Sequence, residues 1–268
     1  TEARSAEVGR LDLLLQTVKK EETVKQQQYL EQQAKMLTEG LIDRRKFVMG
    51  ALAAGIALPT ALGLAQTAMA ATPKKGGRLR WGNSAADSND SLDPATWLSS
   101  FMMATGWLSA NGLTEVGPDG QLIPELAESI ESDDAKTWMF RLRKGVEFHN
   151  GKSFGADDVI ESLEMHTAEG AKSAAKPIVA AITEMKKMGE HQIQFTLAAG
   201  NADFPFLLSD YHILMFPAGM IEEGIAKGIG TGLYSVVSFD PGVRFVGKRV
   251  EGHYKGDSAG FFDSVEYI

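Results

Sequence analysis

From Phe47 to Pro73 the chain carries no charged side chain, and Arg44, Arg45 and Lys46 stand directly before that run. No other feature constrains the fold as much. A run of this length reaches the ~20 residues that a bilayer-spanning helix needs. Its filling is rich in Ala, Gly and Thr, with Pro59 in the middle. Ala and Gly bury little apolar surface, so at ~25 cal/mol per Å² insertion is driven weakly. The run closes on Ala68-Met69-Ala70, the small-x-small pattern that a signal peptidase accepts. Ala68 and Ala70 are thus expected to be cleavage-site residues, and residues 41–70 a leader set apart from the folded domain.

The flanks resemble a twin-arginine export signal, in which the Arg pair is followed by any residue, then Phe and apolar residues. Arg44, Arg45 and Phe47 match; Asp43 stands where Ser or Thr is usual. Lys74 and Lys75 follow the cleavage site, and positive charge there opposes the ordinary secretory route. The resemblance implies a twin-arginine translocase as export partner and a periplasmic location. The alternative keeps the run as an anchor, in a membrane-tethered structural or assembly subunit. Residues 1–40 read as a polar, partly amphipathic helix. Leu11, Leu14, Leu15 and Val18 recur at helical spacing, and Glu21 with Lys25 and Glu31 with Lys35 form i,i+4 pairs.

The whole chain has 268 residues, with 27 Lys+Arg and 35 Asp+Glu. Setting aside the 9 basic and 8 acidic residues of the first 70 leaves a net charge of −9 on the remainder. That balance argues against a nucleic-acid partner, which needs clustered positive charge. There is no cysteine, which excludes disulfides, thiolate metal sites and cysteine nucleophiles.

After the leader, Arg78–Asn83 alternates and predicts a strand, followed by a polar loop and a helix over Ala95–Ala110. Hairpins are expected at Leu113–Val116 with Leu122–Ile123, at Ala127–Glu131 with Thr137–Arg143, and at Ile182–Met188 with Gln192–Leu197. A further one is Tyr234–Phe239 with Arg244–Arg249, and each turn carries Gly, Pro, Asp or Asn. Helices are expected over Asp157–Thr167 and Met220–Lys227, and a last strand over Phe262–Ile268. Strands and helices mix without regular alternation, which predicts an α/β fold with mixed, α+β-type sheets.

Chemistry of the catalytic kind is hard to find. The five histidines, His149, His166, His191, His212 and His253, show no ligand spacing for a metal. No Gly-x-Ser-x-Gly elbow is present. Gly228–Tyr234 (GIGTGLY) follows a helix and precedes a strand, the reverse of a phosphate loop; close packing explains its glycines better. Asp133-Asp134 fits a hairpin turn, and Asp157-Asp158 a helix start. No catalytic residue, metal ligand or cofactor is expected. Trp81, Trp97, Phe101 and Trp107 cluster around the first loop and helix, in a pattern that fits a core or a cleft.

The stretch Gly112–Ser162, GLTEVGPDGQLIPELAESIESDDAKTWMFRLRKGVEFHNGKSFGADDVIES, resembles the signature region of family 5 extracytoplasmic solute-binding proteins, the peptide/nickel class of ABC importer receptors. Asp119-Gly120, Pro124, Leu126-Ala127, Thr137-Trp138, Leu142-Arg143, Gly145-Val146, Phe148-His149, Gly151 and Ala156-Asp157-Asp158-Val159 fall in place, while Ile130 replaces the usual Trp. Ser91-Leu92-Asp93-Pro94 and Gly230-Thr231-Gly232 match further family segments. The resemblance implies a periplasmic-binding-protein-like type II fold. Residues 76–112 and 190–268 would form lobe I, residues 113–189 an inserted domain, and the second lobe would be missing. It further implies binding of oligopeptide, dipeptide or related small solutes for an inner-membrane ABC permease. On this reading the cleft wall is the loop after the first strand, with Asn83, Ser84, Asp87 and Ser88, joined by Trp97, Trp107, Tyr211 and His212.

Overall fold

The computed structural model describes residues 26–37, 41–70, 74–256 and 258–268. Lys75–Ile268 forms one compact unit and the residues before it another. Leu11, Leu14, Leu15, Val18, Glu21 and Lys25 lie outside the described residues.

In the first unit, residues 26–37 form helix α1. The uncharged run then splits into α2 (Arg44–Ala53) and α3 (Leu58–Ala70). Asp43, the departure from the export pattern, caps α2: its carboxylate accepts from the Lys46 amide at 2.8 Å. Gly55, at φ +84°, provides the left-handed turn after α2. Phe47, Val48 and Ala51 meet Ala61, Ala65 and Leu37 in a small core. Arg44 and Arg45 are exposed at the start of α2, and Ala68 and Ala70 lie in the last turn of α3. Helices of 10 and 13 residues are ~15 and ~20 Å long, against a hydrocarbon core of ~30 Å. No helix of the described residues is long and apolar enough to cross a membrane. The run is divided between the two helices at residues 54–57, where Gly55 takes its left-handed turn, and Pro59 lies in the first turn of α3.

The second unit is built on two four-stranded sheets. The first has the order β1 (Arg78–Trp81), β10 (Ser264–Tyr267), β9 (Arg244–Arg249), β8 (Tyr234–Asp240), with β1 parallel to β10 and the other pairs antiparallel. The second is wholly antiparallel, in the order β4 (Ala127–Glu131), β5 (Thr137–Leu142), β7 (Gln192–Leu197), β6 (Ile182–Gly189). A two-stranded ribbon, β2 (Thr114–Val116) with β3 (Leu122–Pro124), lies between them in sequence. The domain boundary expected at 189/190 falls in the turn of the β6–β7 hairpin. β7 sits between β5 and β6, so the second sheet continues past that position to Leu197. Sequence patterning shows where a hairpin is, not which sheet its second strand completes.

Each sheet has its own core. Phe140, Phe195 and Phe204 meet edge to face beneath the second sheet. Phe101, Met102, Phe245 and Val265 fill the space between the first sheet and α4 (Ser100–Ser109). The helix expected over 95–110 is shorter than its pattern. Pro94–Thr96 forms one 3-10 turn, Trp97 is extended, and the Ser99 hydroxyl caps α4 by accepting from the Met102 amide at 3.2 Å. The break lets the Trp97 indole fold back over Gly106, where a Cβ would sit 2.1 Å from the ring.

The remaining helices are α5 (Ala156–Glu164), the four-residue α6 (Lys176–Val179) and α7 (Phe204–Leu207), and α8 (Ile221–Lys227). Asp134 does close the β4–β5 turn, accepting from the Lys136 and Thr137 amides at 2.9 and 2.7 Å. Those bonds, the Thr137 one foremost, hold its carboxyl below the usual range. Asp158 is buried at the start of α5, pairs with Lys152, and accepts from the amides of Gly155 at 2.8 Å and Ala218 at 2.7 Å. The GIGTG glycines allow close approach: a Cβ on Gly230 would lie 2.2 Å from the Ser109 carbonyl, and one on Gly232 2.3 Å from that of Leu108.

Candidate functional site

β1 and β10 run parallel, so their carboxyl ends share one edge of the first sheet. Their pairing continues past the strands, with the Ile268 amide donating to the Trp81 carbonyl at 3.0 Å and the Asn83 amide to that of Ile268 at 2.8 Å. In open α/β sheets the ligand crevice lies outside the carboxyl ends of parallel strands. Here that edge is followed by the loop 82–99.

The loop is held from several sides. The Asp87 carboxylate accepts from the Asn89 amide at 2.8 Å, and the Asp87 amide donates to Asp90 at 2.8 Å. The β8–β9 turn supports it from below: Gly242, at φ +71°, approaches so closely that a Cβ would stand 2.8 Å from the backbone of Asp87 and Ser88. The Asn83 side chain accepts from the Ser100 hydroxyl at 3.1 Å, tying the loop to the start of α4. A depression of about 510 Å³ opens here, lined by Ala85, Asp87, Asp90, Ser91, Trp97 and Leu98 among others. Leu98 is 88% exposed and Trp81 57% exposed. Both are large apolar side chains standing in water on either side of the polar loop, Trp81 at the end of β1 and Leu98 just before α4.

The structure divides the residues singled out from the sequence. Asn83, Ser84, Asp87 and Ser88 do lie on the edge loop, although the Asp87 carboxylate is engaged within it. Trp97 contributes its edge to the depression but is 4% exposed, and its indole N–H donates to the Ser91 carbonyl at 2.8 Å. His212 is buried behind it, with Nε2 2.8 Å from the Trp97 carbonyl and Nδ1 2.6 Å from Asp210. Both partners are acceptors, so His212 ties two loops together rather than facing a ligand. Tyr211 stacks on it at 3.9 Å. Trp107 is exposed at the far end of α4, in a separate groove. The exposure of Leu98 was not expected, because a Leu in a sequence reads first as core; Trp81 was one of the aromatics that fitted either a core or a cleft, and it is exposed.

His149 and His253 serve the scaffold. His149 lies 2.9 Å from the Gly232 carbonyl and His253 2.8 Å from that of Thr231, both clamping the GIGTG segment. Burial pushes both below the usual imidazole range. Among the described residues no group of three His, Asp or Glu side chains could hold a metal ion.

Residues 121–268 match the family model described as bacterial extracellular solute-binding proteins, family 5 Middle. The chain belongs to this family. It is 31% identical over 161 residues to the dipeptide-binding protein of Escherichia coli K12, covering 50% of this chain and 30% of that protein. To di/tripeptide-binding protein 1 of Pseudomonas aeruginosa it is 32% identical over 169 residues, covering 52% and 32%. Among solved structures, PBP AgaA of A. tumefaciens R10, in complex with agropinic acid, superposes with a TM-score of 0.67 at 26% identity, covering 72% of this chain and 39% of that one. The fold is therefore that of type II periplasmic binding proteins, as the sequence implied. The chain spans about a third of the length of the curated relatives it matches.

Proposed function

We propose that this chain supplies one wall of the ligand cleft of an extracytoplasmic receptor. The receptor captures peptide-like or related small solutes and hands them to an ABC permease of the inner membrane. Family membership supports the class. The observation that supports the location is the carboxyl edge of β1 and β10, where Trp81 and Leu98 stand in solvent beside the braced loop 82–91. Binding there is capture by burial of apolar surface with polar anchoring, not catalysis; the relatives reported above are binding proteins by name. Asn83 and Ser84 supply hydrogen-bonding groups at the edge, and Leu98 supplies apolar area. In the same reading Arg44, Arg45 and Phe47 direct export through the twin-arginine translocase, with cleavage after Ala70.

A thermal-shift and tryptophan-fluorescence screen of the protein against peptides, nickel chelates and glycosides tests the first part. Saturable stabilisation by one class is expected, weakened in Leu98→Glu. No stabilisation anywhere in the panel counts against it. Mass spectrometry of exported protein tests the second: a mature start at Ala71 is expected, and an intact Thr1 refutes cleavage.

A further inference from the structure

Phe47 is one of the three residues that match the twin-arginine pattern, and it is the one that the fold hides. Arg44 and Arg45 stand exposed at the start of α2, while Phe47, on the same helix, is 1% exposed. A partner that reads the pattern by its side chains cannot reach the ring in this arrangement.

The cover over Phe47 comes in part from α1. Gln26, Leu30, Gln33, Ala34 and Leu37 recur at helical spacing along one partly or fully buried face of α1, and its opposite side is exposed Gln, Glu and Lys. Leu37 is buried with Phe47, Val48 and Ala51 of α2 and with Ala61 and Ala65 of α3, and Leu30 and Ala34 pack against this cluster. The two helices come close at Gly50, where a Cβ would stand 2.8 Å from the Tyr29 hydroxyl. The Gln26 side-chain amide donates to the Ala54 carbonyl, which ties α1 to the far end of α2 as well. Yet the core that holds α1 down is small. Among the described residues three of its six buried members are alanines, and an alanine buries little apolar area. Such a core closes over Phe47 without fixing it there.

We propose that α1 is a gate on export built into this chain. Packed on α2 and α3, it withholds Phe47 from the translocase, and the pattern becomes readable only when α1 lifts away. The proposal rests on the twin-arginine reading of Arg44, Arg45 and Phe47 given above.

The test is transport of the full chain into inner-membrane vesicles that carry the twin-arginine translocase, read as protease-protected protein. The chain has no cysteine, so Tyr29→Cys with Gly50→Cys places the only thiols across the α1–α2 contact, and the first change removes the hydroxyl that crowds the second position. A short bifunctional maleimide with an internal disulfide then locks α1 in place, and reductant releases it. The locked chain should be transported about tenfold more slowly or worse, and reductant should restore the rate, because only the open fraction is competent. Leu37→Glu, which sets a carboxylate into the core and drives α1 off, should be transported at least about threefold faster than the parent for the same reason. Equal rates for locked and released chains overturn the proposal, and so does an unchanged or lower rate in Leu37→Glu. Arg44→Lys with Arg45→Lys separates the two levels. Transport that ignores this change refutes the twin-arginine reading and the gate with it, whereas arginine-dependent transport that ignores the lock refutes the gate alone.

Discussion

His166 gives the sharpest test of the packing between α5 and the segment 209–216. It is fully buried, its Nδ1 lies 2.6 Å from the Ser173 hydroxyl, and its Nε2 has no partner among the described residues. Burial, helped by the nearby His212 and opposed by Asp210, pushes its pKa from 6.5 down to about 4. The folded value is depressed, so the unfolded chain binds the proton more readily. The folded protein therefore loses stability as pH falls below 6.5, and the loss is complete below about 4. A difference of about 2.5 units at 1.36 kcal/mol per unit amounts to ~3 kcal/mol in full, of which ~2 kcal/mol has gone by pH 5. The perturbation is His166→Leu, which keeps the volume and removes the titrating group. Urea unfolding of parent and variant between pH 7.5 and pH 4.5 supplies the free energies. His149 and His253 are also depressed and steepen both curves, so the informative quantity is the difference between them. That difference should move in favour of the variant by ~2 kcal/mol between pH 7.5 and pH 5. Parallel curves would refute the reasoning, because His166 would then titrate alike in folded and unfolded chains.

Three further outcomes follow from the packing. Phe245→Ala, which empties a fully buried position between the first sheet and α4, should cost ~3–5 kcal/mol in urea unfolding. Gly230→Ala places a Cβ 2.2 Å from the Ser109 carbonyl, and should cost ~1–3 kcal/mol, read as a lower thermal midpoint; an unchanged midpoint would mean that the end of α4 yields freely. Asp158→Ala strands Lys152 and the amides of Gly155 and Ala218. It should cost ~2–3 kcal/mol, with faster hydrogen exchange at those two amides as the local signature.

Much of the fold was legible because the signals were local. Asp119-Gly120, Asp134 and Asp240-Pro241-Gly242 mark their turns through chemistry confined to a few residues, and the strands beside them alternate as half-buried strands must. The family signature was legible for the same reason. The helix over 95–110 was overestimated because Trp97 and Leu98 look as helical as their neighbours; the break serves the Trp97–Gly106 contact. The short α6 and α7 carry too few residues to show a period. That Asn83, Ser84, Asp87 and Ser88 lie on a loop after the first strand was legible from the alternating pattern that precedes them. Trp97, His212 and Trp107 could not be sorted in advance, since type alone does not say which way a ring faces.

The sequence by itself determined the family, the division of the chain near residue 75, and the positions of nearly all strands, since each depends on residues adjacent in the chain. Tertiary structure alone decided that β7 completes the second sheet, that β1 and β10 share a carboxyl edge, and that Leu98 and Trp107 face solvent while Trp97 and His212 do not. Those outcomes depend on pairing and burial between segments as far apart as Trp97 and His212, and no local pattern records them.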